Sequence, residues 1–336
     1  MANRETLSTL FLAEAGWANA TRTFLAGDAS DRRYERLKMG MKTAVLMDAP
    51  PGKGDDPADF IAIGSHLNAL GLSAPRIFAQ DLQNGFLLIE DLGDALFARL
   101  INEDPAQEQA LYAAATDVLL HLQSSAPPAN LPNLSAEDWA QAAGFALEWY
   151  RFAITGDVGD VAGFQAVLVA AMRAHADGPR VLILRDYHAE NLLWLPERAE
   201  LAKVGLLDFQ LGQLGQPSYD LVSLLQDARR EVSPQTEAEM MNRFRGGTDA
   251  QSFAAAYATV GAQRALRILG IFARLCLKGG KAQYVTLIPR VWRQLQRNLM
   301  HSELAELAAF CALWLPEPTP DALERIRTQC GTQPTR

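Results

Sequence analysis

The sequence has little cysteine. Cys276, Cys311 and Cys330 are the only three in 336 residues. They are odd in number, far apart and at no metal-ligand spacing, which speaks against a disulfide framework and a structural zinc site. Long apolar runs are lacking too. The stretch Leu307 to Leu315 is too short to span a bilayer, and the opening MANRETLSTLFLAEAGW carries Glu5 and Glu14 with no sustained apolar segment. A cytoplasmic chain with no membrane partner is expected. Positive charge is in deficit, with a formal net charge of −8, and this points away from a nucleic-acid partner. Between Ala250 and Ser302 it is acidic residues that are missing, while Arg264, Arg267, Arg274, Lys278, Lys281, Arg290, Arg293 and Arg297 are present. At about 100° per residue, Arg264, Arg267, Arg274 and Lys278 share one helical face. That face reads either as a solvated stripe turned to the acidic first half of the chain or as a surface for an anionic ligand.

What is present is ample apolar material. A hydrophobic content of 49% over this length supports one large domain or two packed lobes without staples. No internal repeat or low-complexity tract appears. After a first helix at about 4 to 16, TRTFLAGDASDRRYERLKMG and KTAVLMDAP read as strands around a Gly-Asp-Ala-Ser turn. Helical spacing of Phe60, Ile63, Leu67 and Leu70 follows a Pro-Gly loop, and RIFAQDLQNGFLLIEDL reads as a hairpin with Asn84-Gly85 at its tip. From about Ala95 the pattern turns helical, with helices expected at 105–123, from the capping box Ser135-Ala-Glu-Asp138, and at 158–176. Three short apolar strands, 181–184, 192–195 and 204–207, interrupt it. The spacing therefore predicts an α+β chain of two lobes, strand-rich over 1–92 and helical over 93–336.

The segment LRDYHAENLLWLP, residues 184 to 196, packs Arg185, Asp186, His188, Glu190 and Asn191 between two apolar runs. Asp186 precedes Asn191 by five residues, and Asp208 stands at the end of the strand in VGLLDFQ. A hairpin loop followed by a strand end brings these groups together. One carboxylate and one amide oxygen can then hold a hard divalent cation, while Asp186 faces an incoming hydroxyl. Metal-assisted phosphoryl transfer needs that division of labour. Ser30 and Ser218 have no His and Asp companions at suggestive positions, so a hydrolase triad has no support. His66, His121, His175 and His301 show no partner spacing, and Trp194 reads as core.

With these motifs in place, the chain resembles the aminoglycoside phosphotransferase-like branch of the two-lobed protein-kinase-like fold. It is more specifically similar to bacterial cell-wall sugar kinases that phosphorylate the anomeric hydroxyl of N-acetylmuramate and N-acetylglucosamine in cell-wall recycling. The segments carrying the likeness are GDASDRRYERL, LLIEDLGD, RDYHAENLLWLPER, YDLVSLLQDARREV, LRILGIFARL and LIPRVW. The resemblance implies an ATP- and Mg2+-dependent kinase of a small molecule, with Asp186 as the base and Asn191 and Asp208 as the metal ligands. It implies that the turn at Gly27 to Arg33 covers the phosphates through backbone N–H groups, Ser30 and Arg32 or Arg33. Backbone atoms of Glu90 to Leu92 would hold the adenine, and the sugar would lie near His188, Glu190, Gln210, Asp227 and Arg229.

Two departures stand out. Kinases of this fold usually carry a lysine at the end of the third strand, where TAVLMDAP has Met47 and Asp48; Lys42, Lys53, Arg32 and Arg33 are the candidates to replace it. The sugar kinases tend to read D-F-Q-D-A after the metal strand, whereas Asp208 is followed here by Phe209, Gln210, Leu211 and Gly212. An aminoglycoside phosphotransferase and a catalytically silent nucleotide-binding module are the alternatives. Polycationic substrates call for an acidic pocket, against which the basic 250–302 segment argues, and retention of Asp186, Asn191 and Asp208 argues against silence.

Overall fold

A computed structural model describes residues 3–26, 32–52, 54 and 56–333. Helix α1 (Arg4–Glu14) starts at Asn3, whose side chain accepts from the Glu5 N–H. Strands β1 (Thr21–Ala26), β2 (Arg33–Met39) and β3 (Lys42–Asp48) follow as an antiparallel meander. Helix α2 (Pro57–Ala69) is capped by Asp56 and opened by Pro57, and β4 (Ile77–Asp81) and β5 (Phe86–Ile89) form the hairpin expected around Asn84-Gly85. Gly85 has φ +74°, and a Cβ on it would lie 1.9 Å from the Ala49 carbonyl oxygen, so no side chain fits. The sheet runs in the order β1-β2-β3-β5-β4. The two-residue period puts Leu37, Ala44, Leu46, Phe86 and Leu88 on one face, where they form a core with Phe11 and Leu12 of α1. Met47, one residue out of phase, belongs to the other face.

Along the chain α3 (Phe97–Glu103) and α4 (Glu108–Gln123) come next, then α5 (Ala136–Ala143), whose capping box joins Ser135 and Asp138 as the sequence indicates. A π-helical turn over Ala146–Arg151 leads into α6 (Phe152–Thr155), followed by α7 (Val161–His175). Four short strands come after it: β6 (Val181–Ile183), β7 (Leu192–Trp194), β8 (Val204–Leu206) and β9 (Gln213–Gly215). Strand β6 pairs with β9, and β7 pairs with β8. The rest is helical: α8 (Tyr219–Leu225), α9 (Pro234–Arg245), α10 (Ala250–Leu277), α11 (Ile288–Leu299), α12 (Ala305–Trp314) and α13 (Pro320–Thr328). Among the described residues no helix is long and apolar enough to cross a membrane.

The chain divides into two compact units, Met1–Leu131 with Leu184–Gln213 and Pro132–Ile183 with Leu214–Arg336. The first unit reaches past residue 92, the lobe boundary expected from the sequence, because backbone bonds knit the later strands to the sheet-bearing segment. Leu206 N donates to Ser73 O at 2.8 Å, Trp194 N to Ala95 O at 2.8 Å and Ala98 N to Ala189 O at 3.0 Å.

The second unit is organised around α10, and its basic stripe is solvated only towards its C-terminal end, where Arg274 and Lys278 are exposed. Arg264 is buried and donates to Ser223 Oγ at 2.7 Å, Arg267 donates to Tyr219 Oη at 3.1 Å, and Arg274 lies over the Phe145 and Trp149 rings. Hydroxyls meet the first two arginines of the stripe, and aromatic faces line the exposed Arg274. Periodicity locates a helix face but says nothing of what packs against it.

Candidate active site

The site is built from the loop between Leu184 and Leu192. Arg185 sits at φ +72°, a left-handed conformation that is costly for an arginine and that turns the chain sharply just before Asp186. Asp186 N donates to Leu184 O at 2.9 Å, closing the turn. Tyr187, the next residue, is buried and anchors the loop by donating its hydroxyl to Ala115 O of α4 at 2.8 Å. Asn191 N donates to His188 O at 2.8 Å, and Asn191 Nδ2 donates to Asp186 O at 2.9 Å. The amide is thereby oriented with its nitrogen turned into the loop, which leaves Oδ1 as the atom to offer a ligand.

The pairing of Leu192 with Leu206 in the β7–β8 hairpin, extended by Leu207 N donating to Asn191 O at 3.0 Å, carries Asp208 alongside this loop. Asp208 is itself left-handed at φ +54°. Two left-handed residues therefore lie at the candidate site, a pattern that marks functional backbone. Asp208 Oδ1 accepts from Arg32 Nη2 at 3.0 Å and from Gln210 Nε2 at 2.9 Å. Its Oδ2 carries no hydrogen bond among the described residues. Phe209 stacks on Phe60 of α2 with centroids 4.8 Å apart, and a Cβ on Gly64 would stand 3.3 Å from the Phe209 ring. Helix α2 is thus seated directly on the turn that presents Asp208. Asn191 Oδ1 and Asp208 Oδ2 make a hard oxygen pair suited to a cation that fills its remaining positions with water and phosphate.

The other residues singled out in the sequence fall as follows. Gly27, Ser30 and Lys53 lie outside the described residues. Arg33 pairs with Glu35 at 3.1 Å and lies over the Phe24 ring, directed along the β1–β2 surface. His188 is buried, with Nε2 3.4 Å from Asn191 Nδ2, and Glu190 is exposed in the same loop. Gln210 is buried and spends its amide nitrogen on Asp208. Asp227 and Arg229 belong to the second unit. There Asp227 is buried, which pushes its carboxyl above the ordinary range against the pull of the Arg229 N–H and of the Arg229, Arg264 and Arg230 charges. Trp194 is half-buried and meets Phe97 edge-on at 6.3 Å.

Residues 21–258 match the model of the phosphotransferase enzyme family. The chain belongs to the phosphotransferase enzyme family. The phosphotransferase is 39% identical to an N-acetylmuramate/N-acetylglucosamine kinase of Caulobacter vibrioides over 94% of its own length and 98% of the relative's. It is 32% identical to a protein of the same name from Pseudomonas aeruginosa, over 91% and 93% of the two chains. In fold it is similar to a choline kinase of Streptococcus pneumoniae, with a TM-score of 0.61 at 14% identity, covering 87% of this chain and 99% of that one. It is a small-molecule kinase with the protein-kinase-like fold.

The phosphotransferase also has a braced segment after β5 that sequence reasoning missed. Glu90 N donates to Arg76 O at 2.8 Å, and the Glu90 carboxylate accepts from Arg76 at 3.0 Å and from Arg198 at 2.8 Å. Arg36 of β2 grips both Asp91 and Asp94, at 2.9 and 2.8 Å. The only signal for Arg198 was its place at the end of the RDYHAENLLWLPER match, and Arg36 had none, since its partners lie more than 50 residues away. Burial alone would raise the Glu90 carboxyl, but Arg76 and Arg198 outweigh it and hold the group below its ordinary value. A depressed carboxylate contributes stability above its unfolded-state pKa and loses it as pH falls through the folded value. Glu90→Gln is therefore expected to cost about 1 kcal/mol at pH 7, since one partner is well exposed. Urea unfolding of both proteins should show that gap narrowing as pH drops below 4.5.

Proposed function

We propose that the protein transfers the γ-phosphoryl group of ATP, with Mg2+, to the anomeric hydroxyl of N-acetylmuramate or N-acetylglucosamine. The observation that carries this reading is the joint placement of Asp186, Asn191 and Asp208 on one loop and one strand end. The near full-length likeness to two kinases named for these sugars supports the choice of acceptor. Asp186 takes the proton of the sugar hydroxyl as its oxygen attacks phosphorus, and the bond between the γ-phosphorus and the bridging oxygen breaks to release ADP. Asn191 Oδ1 and Asp208 Oδ2 would hold the Mg2+, which supplies charge neutralisation at the phosphates.

In the same reading the Gly27–Arg33 turn, with Ser30 and a basic residue at its end, covers the phosphates. The Glu90 carbonyl and the Leu92 N–H face the adenine; the Glu90 N–H is already committed to Arg76. His188 and Glu190, in the loop that carries Asp186 and Asn191, are assigned to the acceptor. Gln210 bears on the acceptor through Asp208.

The test is ADP release by the purified protein with Mg-ATP against N-acetylmuramate, N-acetylglucosamine, kanamycin and no acceptor. Turnover with the acetylated sugars alone is the expected result. Turnover with kanamycin alone would refute the acceptor, and none with any acceptor would refute the kinase reading as proposed.

A further inference from the structure

The third strand offers no cation to the nucleotide phosphates, which raises the question of what replaces it. Met47 is buried opposite Tyr34 and Leu87 in the sheet, and Asp48 is paired with Arg4 of α1. Lys42 lies at the other end of β3, opposite Met39 beside the β2–β3 turn. Arg33 is turned to Glu35 and Phe24. Arg32 alone among the described candidates is both buried, at 8% exposure, and bound to a residue of the proposed cation site.

We infer that Arg32 is the phosphate-gripping cation of this kinase and that Asp208 positions it; this rests on the phosphotransfer reading above. The hydrogen bond from Nη2 to Asp208 Oδ1 spans 176 residues of sequence and fixes the guanidinium beside the carboxylate that would hold the Mg2+. A phosphate bound beside Asp208 would then meet a second positive charge on the same residue. Arginine suits the task because its fixed fork can bind one oxyanion and be steadied by another, where lysine offers a point charge. Gln210 completes the arrangement by donating to the same Oδ1, so the acceptor atom is saturated and Asp208 cannot swing without breaking two bonds. The phosphate-binding cation thus enters from the start of β2, and the fold has no need of an acidic partner on α2. The inward positions of α2 are apolar, with Phe60, Ile63 and Leu67 buried.

The experiment is equilibrium binding of ATP and of adenosine to the full-length protein, in wild type, Arg32→Met, Arg32→Lys and the exposed-strand control Lys38→Met, with thermal unfolding of each. Arg32→Met is expected to weaken ATP binding by about 10- to 100-fold, the scale of lost charge-assisted hydrogen bonds, and to leave adenosine binding unchanged. Arg32→Lys should recover part of the ATP affinity, and Lys38→Met should match wild type. Equal ATP affinity in wild type and Arg32→Met would overturn the assignment, as would an equal loss for ATP and adenosine, which marks a structural residue. If Arg32→Met does not fold, Arg32→Lys decides: adenosine affinity reduced as much as ATP affinity overturns the inference, and a loss confined to ATP upholds it. Wild-type protein that binds neither ligand would instead overturn the nucleotide-dependent reading on which the inference stands.

Discussion

Asp186→Asn is expected to lower turnover by about 10²- to 10⁴-fold, the range associated with removing a general base, while ATP affinity stays near wild type. The change is isosteric, and every hydrogen bond that shapes the loop at this residue uses its backbone. Asp186 N reaches Leu184 O, and Asp186 O receives Asn191 Nδ2. The side chain is half-buried and makes none of the contacts that hold Tyr187 or Asn191 in place. What disappears is an acceptor for the proton of the attacking hydroxyl. The measurement is the steady-state rate with the acetylated sugars alongside ATP binding by titration calorimetry. A variant with full kcat would remove Asp186 from the role of base, and one that lost ATP binding would make it a nucleotide residue.

The loop that carries this prediction was legible in the sequence because it combines local signals. Apolar strands bracket it, polar residues are crowded into seven positions, and a second apolar strand ends in Asp208. The hairpin at Asn84-Gly85 and the capping box at Ser135 were legible for the same reason, since turn and cap chemistry act over three or four residues. The features that escaped depend on distant partners. Arg36 reaches Asp91 and Asp94, Arg198 reaches back to Glu90, and Arg32 reaches Asp208, and no local pattern distinguishes these arginines from their neighbours. Arg33 shows the limit well: adjacent to Arg32 and identical to it in type, it is exposed and pairs with Glu35, while Arg32 is buried and pairs with Asp208. Strand β9, Gln213–Gly215, has one apolar side chain where the equally short β6, β7 and β8 are apolar throughout, and the π-helical turn at Ala146–Arg151 looks like ordinary helix to any 3.6-residue pattern. The basic face of α10 was located correctly as a face, and its Arg274–Lys278 end is exposed while Arg264 is buried. Charge content predicts exposure only until a partner such as the Ser223 hydroxyl is brought up against it in three dimensions.

Asp208→Asn is expected to abolish the Mg2+ dependence of ATP binding and to reduce turnover by at least about 10³-fold, a loss on the scale of several kcal/mol of charge stabilisation in phosphoryl transfer. Asparagine is the informative replacement for two reasons. Asp208 has φ +54°, a conformation that asparagine accepts readily and alanine does not, so the turn before Phe209 should keep its shape. The amide oxygen can also stand where Oδ1 now accepts from Arg32 and Gln210, while the amide nitrogen falls where Oδ2 would meet the cation. The variant therefore removes one function of the carboxylate and spares the geometry of the other. Nucleotide titrations with and without Mg2+ should converge for Asp208→Asn, at an affinity still sensitive to Arg32→Met in the double variant. Alanine at the same position should give up both the cation and the orientation of Arg32, and should unfold at lower denaturant for the strained φ as well. If Asp208→Asn retained a Mg2+-dependent gain in affinity, the cation would have to be held elsewhere, and Asp208 would be left as the residue that positions Arg32.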